Sequence, residues 1–96
     1  MDPKIPPHDI DAEKSVLAAI LIDKDAIIKA SEILKPESFY SKAHQAIFAA
    51  MLELYDKRMA IDVITLKDQL TKDKTIRTAG GVSGISQLSN LLSTAA

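Results

Sequence analysis

Two histidines, a run of carboxylates near the start, a spread of serines and one pair of glycines are the residues here whose types could carry chemistry. His8 and His44 could serve as metal ligands or as a general base. Neither has a carboxylate or second histidine at a ligand spacing such as His-Glu-x-x-His, so a third ligand is missing and no metal motif forms. Asp9, Asp11 and Glu13 have the look of a general acid and base set. Three carboxylates within five residues are explained more simply by the start of a helix, whose free N–H groups and positive dipole end favour negative charge. The serines at 15, 31, 38, 41, 83, 86, 89 and 93 sit in no strand-turn-helix elbow. Gly80-Gly81 lacks the flanking glycine and the Lys-Ser/Thr of a phosphate loop, and reads as a turn or helix cap. No independent active site, cofactor or metal is expected from this pattern. The function is expected to reside in surfaces.

The elements that carry these residues read as helices. Prolines at 3, 6 and 7 make residues 1–9 an extended arm. Asp9 then caps a first helix over 10–22, with Val16, Leu17, Ile20 and Leu21 on one face. Asp23-Lys24-Asp25 breaks it. A second helix with Ile27, Ala30 and Leu34 inward ends before Pro36. Phe39 and Tyr40 are expected to plug the core rim, and Ser41 to cap a third helix with the stripe His44, Ile47, Phe48, Met51, Leu54 and Tyr55. On that stripe His44 reads as a buried histidine bonded to backbone or to a nearby carboxylate.

Residues 61–66 have the β-branched content of a strand. A lone strand has nothing to pair with, so Asp62 is expected to cap a helix reaching residue 71, with Val63, Leu66 and Leu70 inward. Gly80-Gly81 supplies the turn before a last helix over 83–92, with Ile85, Leu88, Leu91 and Leu92 apolar. The expected architecture is all-α, a compact orthogonal bundle of five to six helices.

Composition narrows the function classes. Ninety-six residues fit one domain, and 47% apolar against 26% charged residues is enough to fill a core. Twelve cations against thirteen anions, well mixed, make tight autonomous binding to nucleic acid a poor expectation. Lys72, Lys74 and Arg77 are the densest basic stretch, and Asp73 interrupts it; a solvated face is the simpler reading. The absence of cysteine fits a reducing compartment. No membrane span or signal peptide is expected, and the localisation expected is cytoplasmic.

Four ordered strings carry a family resemblance. Pro6-Pro7 with Ala12-Glu13 and Val16-Leu17, then Phe39-Tyr40 with His44 and Ile47-Phe48, then Ile61-Asp62 with Thr65, then Gly80-Gly81, resemble the N-terminal domain of the DnaB-type replicative DNA helicases. Ala18, Ala60 and Gly84 depart from that pattern, which often has glycine, proline and tyrosine at these places.

The resemblance implies an all-α globular head over 10–93. It implies that 94–96 begin a linker to a helical hairpin, beyond which a RecA-like ATPase domain would follow. It also implies a non-catalytic interaction domain that supports a hexamer collar of paired helicase subunits and docks the C-terminal domain of a DnaG-type primase. A helicase loader is a further implied partner. Val82, Gly84 and Gln87 are the expected partner-binding residues, and Gly84→Tyr is expected to strengthen that contact. Asp9, Glu13, His44, Asp62, Gly80 and Gly81 are expected to be structural. The competing reading is a small helical DNA-binding domain, which the charge balance opposes.

Overall fold

The computed structural model describes residues 9–94, and side chains as far as residue 91. Asp9 adopts an extended conformation and its Oδ1 accepts from the Ala12 amide at 3.1 Å, which starts α1 over Ile10–Ile22. The expected bounds of this helix are the observed ones. Asp23 ends it, and its own side chain accepts from the Asp25 amide at 2.9 Å to hold the corner into α2, Ala26–Ile33. A single 3-10 turn over Pro36–Ser38 follows, closed by the Lys35 amide donating to Ser38 Oγ at 3.0 Å.

Ser41 caps α3, Lys42–Asp56, by accepting from the His44 amide. Residues 61–66 do not form a strand. Asp62 Oδ1 accepts from the Thr65 amide while the Asp62 amide donates to Thr65 Oγ1, both at 2.9 Å, and this reciprocal capping box starts α4 over Val63–Lys72.

The ends of α3 and α4 share a device. The Arg58 amide donates to Tyr55 O and the Met59 amide to Leu54 O; in α4 the Lys74 amide donates to Thr71 O and the Thr75 amide to Leu70 O. These are Schellman motifs, and the residue at the turn sits at φ 60° for Arg58 and 62° for Lys74, the left-handed region usually given to glycine. A third such motif closes one helical turn over 75–79, where Gly80 takes φ 94° and Gly81 φ 71°. Here the glycines stand where the geometry requires them. α5 then runs Gly81–Thr94, two residues earlier at its start than expected and through residue 94 rather than stopping at 92. Apart from Asp9 and the backbone of Thr94, the expected arm over 1–9 and linker over 94–96 lie outside the described residues, as does the Leu92 side chain.

The described residues thus form an all-α fold of five α-helices and one 3-10 turn. α3 lies at its centre, against α1, α2, the 3-10 turn and α4, while α5 packs along α1 and α4. Phe48, Met51 and Leu54 of α3 meet Leu17 and Ile20 of α1, Leu66 and Leu70 of α4 and Ile85 of α5 in one apolar cluster. Each such fully buried side chain contributes about 1.5–3 kcal/mol of transfer free energy.

Two expectations about this core are corrected. Phe39 is buried against Phe48, ring centroids 5.0 Å apart, but Tyr40 is half exposed at 49% and does not plug the rim. Val16 and Tyr55 also lie at the surface, and Ala18 takes the inward place on α1. On α1 and α3 the buried stripe is therefore narrower than the sequence suggested, with Val16 and Tyr55 at its exposed edges.

Candidate functional site

Glu13 and Gln69 each make three side-chain hydrogen bonds among the described residues, and those of Glu13 tie the starts of two helices together. Glu13 stands in the first turn of α1, and its carboxylate crosses to the start of α3. There Oε2 accepts from the Tyr40 amide at 2.6 Å, and Oε1 accepts from the Ser41 amide at 3.3 Å and lies 2.8 Å from His44 Nδ1. Both side chains are mostly buried, at 13% exposure for Glu13 and 8% for His44. Ser41 caps α3 from within, and Glu13 caps it from outside, so two first turns converge on one negative charge. Burial pushes the Glu13 carboxyl up. The hydrogen bonds from His44 and from the amides of Tyr40 and Ser41, with the charge of His44, outweigh that and hold it below the ordinary carboxylate range. The edge of the Phe39 ring meets the imidazole, centroids 6.4 Å apart and 76° between planes.

His44 is therefore the buried, carboxylate-bonded histidine expected from its place on the stripe. Its partner was not foreseen. Glu13 read as a carboxylate serving its own helix start, and the structure shows it serving that of α3 as well, through amides 27 and 28 residues on.

Beside His44 lies a groove of about 410 Å³ between α1, α3 and α5, which Glu13 does not line. Lys14 and His44 supply its polar edge, Ile47 and Leu88 its floor, and Gly80 and Gly84 one wall. A shallower hollow of about 250 Å³ on the Glu13 side is lined by Val16, Leu34 and Phe39. A second polar cluster joins α3 to α4. Lys57 donates to Gln69 Oε1 at 2.8 Å, and Gln69 Nε2 donates to Glu53 at 2.8 Å and to Asp73 at 3.0 Å. Burial, together with the neighbouring Asp73 and Asp56 carboxylates, pushes the Glu53 carboxyl up against the opposing pull of Lys57. Sequence reasoning passed over Gln69, whose place between Leu66 and Leu70 was the available signal.

Of the expected partner-binding residues, Val82 is exposed at 46% on α5, Gln87 is exposed and lines the groove, and Gly84 forms part of its wall. They share one region of α5. The expectation for Gly84→Tyr is corrected: a Cβ at Gly84 would lie 2.7 Å from the carbonyl oxygen of Ala79, so no side chain enters without displacing backbone. Asp9, Asp62, Gly80 and Gly81 sit at the caps and the turn assigned to them. Lys72, Lys74 and Arg77 are all exposed. Among the described residues no three groups gather as metal ligands, and no helix is long and apolar enough to cross a membrane.

The described residues thus form an all-α domain in which a buried carboxylate binds the start of a neighbouring helix and a groove with an apolar floor opens beside it. The family is then shown directly. Residues 5–96 match the family described as DnaB-like helicase N terminal domain, and this chain belongs to it. It is 44% identical over 93 residues to the replicative DNA helicase DnaB of Geobacillus stearothermophilus, covering 97% of this chain and 20% of the relative. It is 36% identical over 96 residues to the replicative DNA helicase DnaC of Bacillus subtilis strain 168, covering all of this chain and 21% of that one. The crystal structure of the N-terminal domain of DnaB helicase from Mycobacterium tuberculosis superposes with a TM-score of 0.82 at 38% identity, covering 88% of this chain and 58% of the other. The chain thus spans about a fifth of the length of these full-length relatives.

Proposed function

We propose that this chain works as the N-terminal interaction domain of a replicative DNA helicase in the cytoplasm. It supports assembly of the helicase subunits into their ring and receives the C-terminal domain of a DnaG-type primase, while ATP hydrolysis and strand separation belong to a separate ATPase domain. Family membership over residues 5–96 is the observation that carries this reading. It is supported by a surface arrangement in which Val82 stays exposed on α5 while Gly84 and Gln87 of the same helix line the groove. The Glu13 bonds fix α1 to α3, and α5 rests on α1, so the face that α5 presents is held by buried polar contacts rather than by loops.

Calorimetric titration of the cognate primase C-terminal domain into this domain, and into a version extended towards the ATPase domain, tests the role. Binding is expected in both, and Val82→Glu should weaken it about tenfold through the cost of burying a charge, with an unchanged melting temperature. No association with either form at tens of micromolar would overturn the primase role.

A further inference from the structure

The groove beside His44 has a chemistry of its own. The histidine is 6% exposed, and its Nδ1 is committed to Glu13. Its Nε2 has no hydrogen-bond partner among the described residues. No buried side-chain nitrogen is left without a partner, so this atom must reach open space. His44 lines the 410 Å³ groove while Glu13 lines only the other hollow, which directs the free nitrogen into the groove. When the ring is neutral, with Nδ1–H donated to the carboxylate, Nε2 is an acceptor; in the imidazolium both nitrogens donate. Below Nε2 are Ile47 and Leu88, both buried, with Leu91 at the rim. The wall stays low because a Cβ at Gly84 would meet the Ala79 carbonyl, so the chain's own geometry keeps the space open. Lys14 stands at the same edge and makes no ion pair with the described residues.

A slot with an apolar floor, a recessed acceptor at His44, and Lys14 and Gln87 among the residues that line it suits a flat apolar group with a donor at its tip and a negative charge beside it. We infer that this groove receives a tyrosine or tryptophan side chain of a partner protein, its O–H or N–H donating to His44 Nε2 and an adjacent acidic residue of the partner facing Lys14. The inference rests on the interaction role proposed above and names the chemistry of the contact. Aromatic side chains with a polar tip are the usual anchors of such contacts, since they fill a pocket and satisfy a recessed polar group within it. A phenylalanine fits the same space and leaves the nitrogen unmet.

The test needs no identified partner. The probes are N-acetyl-tyrosinamide, N-acetyl-tryptophanamide and N-acetyl-phenylalaninamide, titrated in mildly alkaline buffer into the isotopically labelled domain and followed by amide and imidazole nitrogen chemical shifts. The expected result is millimolar binding with shifts confined to Ala43, Gly80, Gly84, Leu88 and His44 Nε2. The tyrosine and tryptophan amides should bind about fivefold more tightly than the phenylalanine amide, the difference that one neutral hydrogen bond makes. Ala43→Met, which extends a side chain into the groove from the surface of α3, should abolish these shifts while the rest of the spectrum is retained. Equal binding of the three probes, shifts elsewhere on the surface, or undiminished binding by Ala43→Met would each overturn the assignment. Because no primase is present, failure here is separate from failure of the primase role.

Discussion

Replacing Glu13 tests the connection between α1 and α3 most directly. The carboxylate accepts from two backbone amides and the imidazole, at 2.6, 3.3 and 2.8 Å, in a setting only 13% exposed. Hydrogen bonds to a charged, buried acceptor contribute about 1.5–3 kcal/mol each when lost singly, and the losses are not additive. Discounting the long Ser41 contact, Glu13→Ala should cost about 3–4 kcal/mol, a large part of the stability of a domain this size. Glu13→Gln keeps the shape and one acceptor oxygen, and should cost about 1.5 kcal/mol near neutral pH.

The pH dependence separates charge from packing. The folded carboxyl lies below its ordinary value of 4.5, so the unfolded chain takes up the proton first. Its contribution is complete above that value and is lost as pH falls through the lower, folded one. Glu53, shifted upward, acts in the opposite direction: it adds stability in acid that is lost as pH rises past the ordinary carboxylate value. Because Glu53 is common to both proteins, the difference between wild type and Glu13→Gln cancels it and isolates Glu13 with its His44 bond. Urea unfolding followed by circular dichroism, repeated from neutral to strongly acid pH, reads that difference. It should shrink towards zero below the ordinary carboxylate range. A difference that stays constant across the series, or one under about 0.5 kcal/mol at neutral pH, would refute the reasoning.

Three other substitutions follow from the caps and turns. Asp62→Ala removes the side-chain half of the capping box on α4, the acceptor for the Thr65 amide, and should lower stability by about 1 kcal/mol in the same urea assay. Lys74→Gly relieves a left-handed residue at φ 62°, and after the added freedom of the unfolded chain is subtracted it should stabilise by about 0.5 kcal/mol, seen as a higher midpoint with an unchanged slope. Gly84→Ala, an improvement by helix propensity alone, should instead lower the melting temperature, since its Cβ would sit 2.7 Å from the Ala79 oxygen.

The local punctuation of this fold was legible in the sequence. Asp9, Ser41 and Asp62 cap the helices they were expected to cap, and the first helix has its expected bounds. A single short side chain and the three amides after it settle such ends, and both are visible in a window of a few residues. The Glu13–His44 contact spans thirty-one residues, and no local pattern says which of thirteen acidic residues a buried histidine will meet. Tyr40 misled for a related reason: beside Phe39 it looked like a core aromatic, yet the extended chain between the 3-10 turn and α3 sends neighbouring side chains to opposite sides. Arg58 and Lys74 concealed the two Schellman turns because glycine is the signal for that geometry. The groove was out of reach altogether. It exists only because α5 returns to lie beside α1 and α3, and its open wall at Gly84 depends on a carbonyl five residues earlier.

The packing of α5 along α1 also sets the order in which the chain can become a domain. α1 leaves a ribosome first, but the buried sides of Leu17 and Ile20 belong to a cluster that includes Ile85 and Leu88, almost seventy residues later. Until that stretch emerges, the earlier helices can pair only in part, through contacts such as Glu13 with the start of α3. The full core therefore closes only with the last helix rather than the first, and the bonds of Glu13 to the start of α3 are native cross-helix contacts that do not need it.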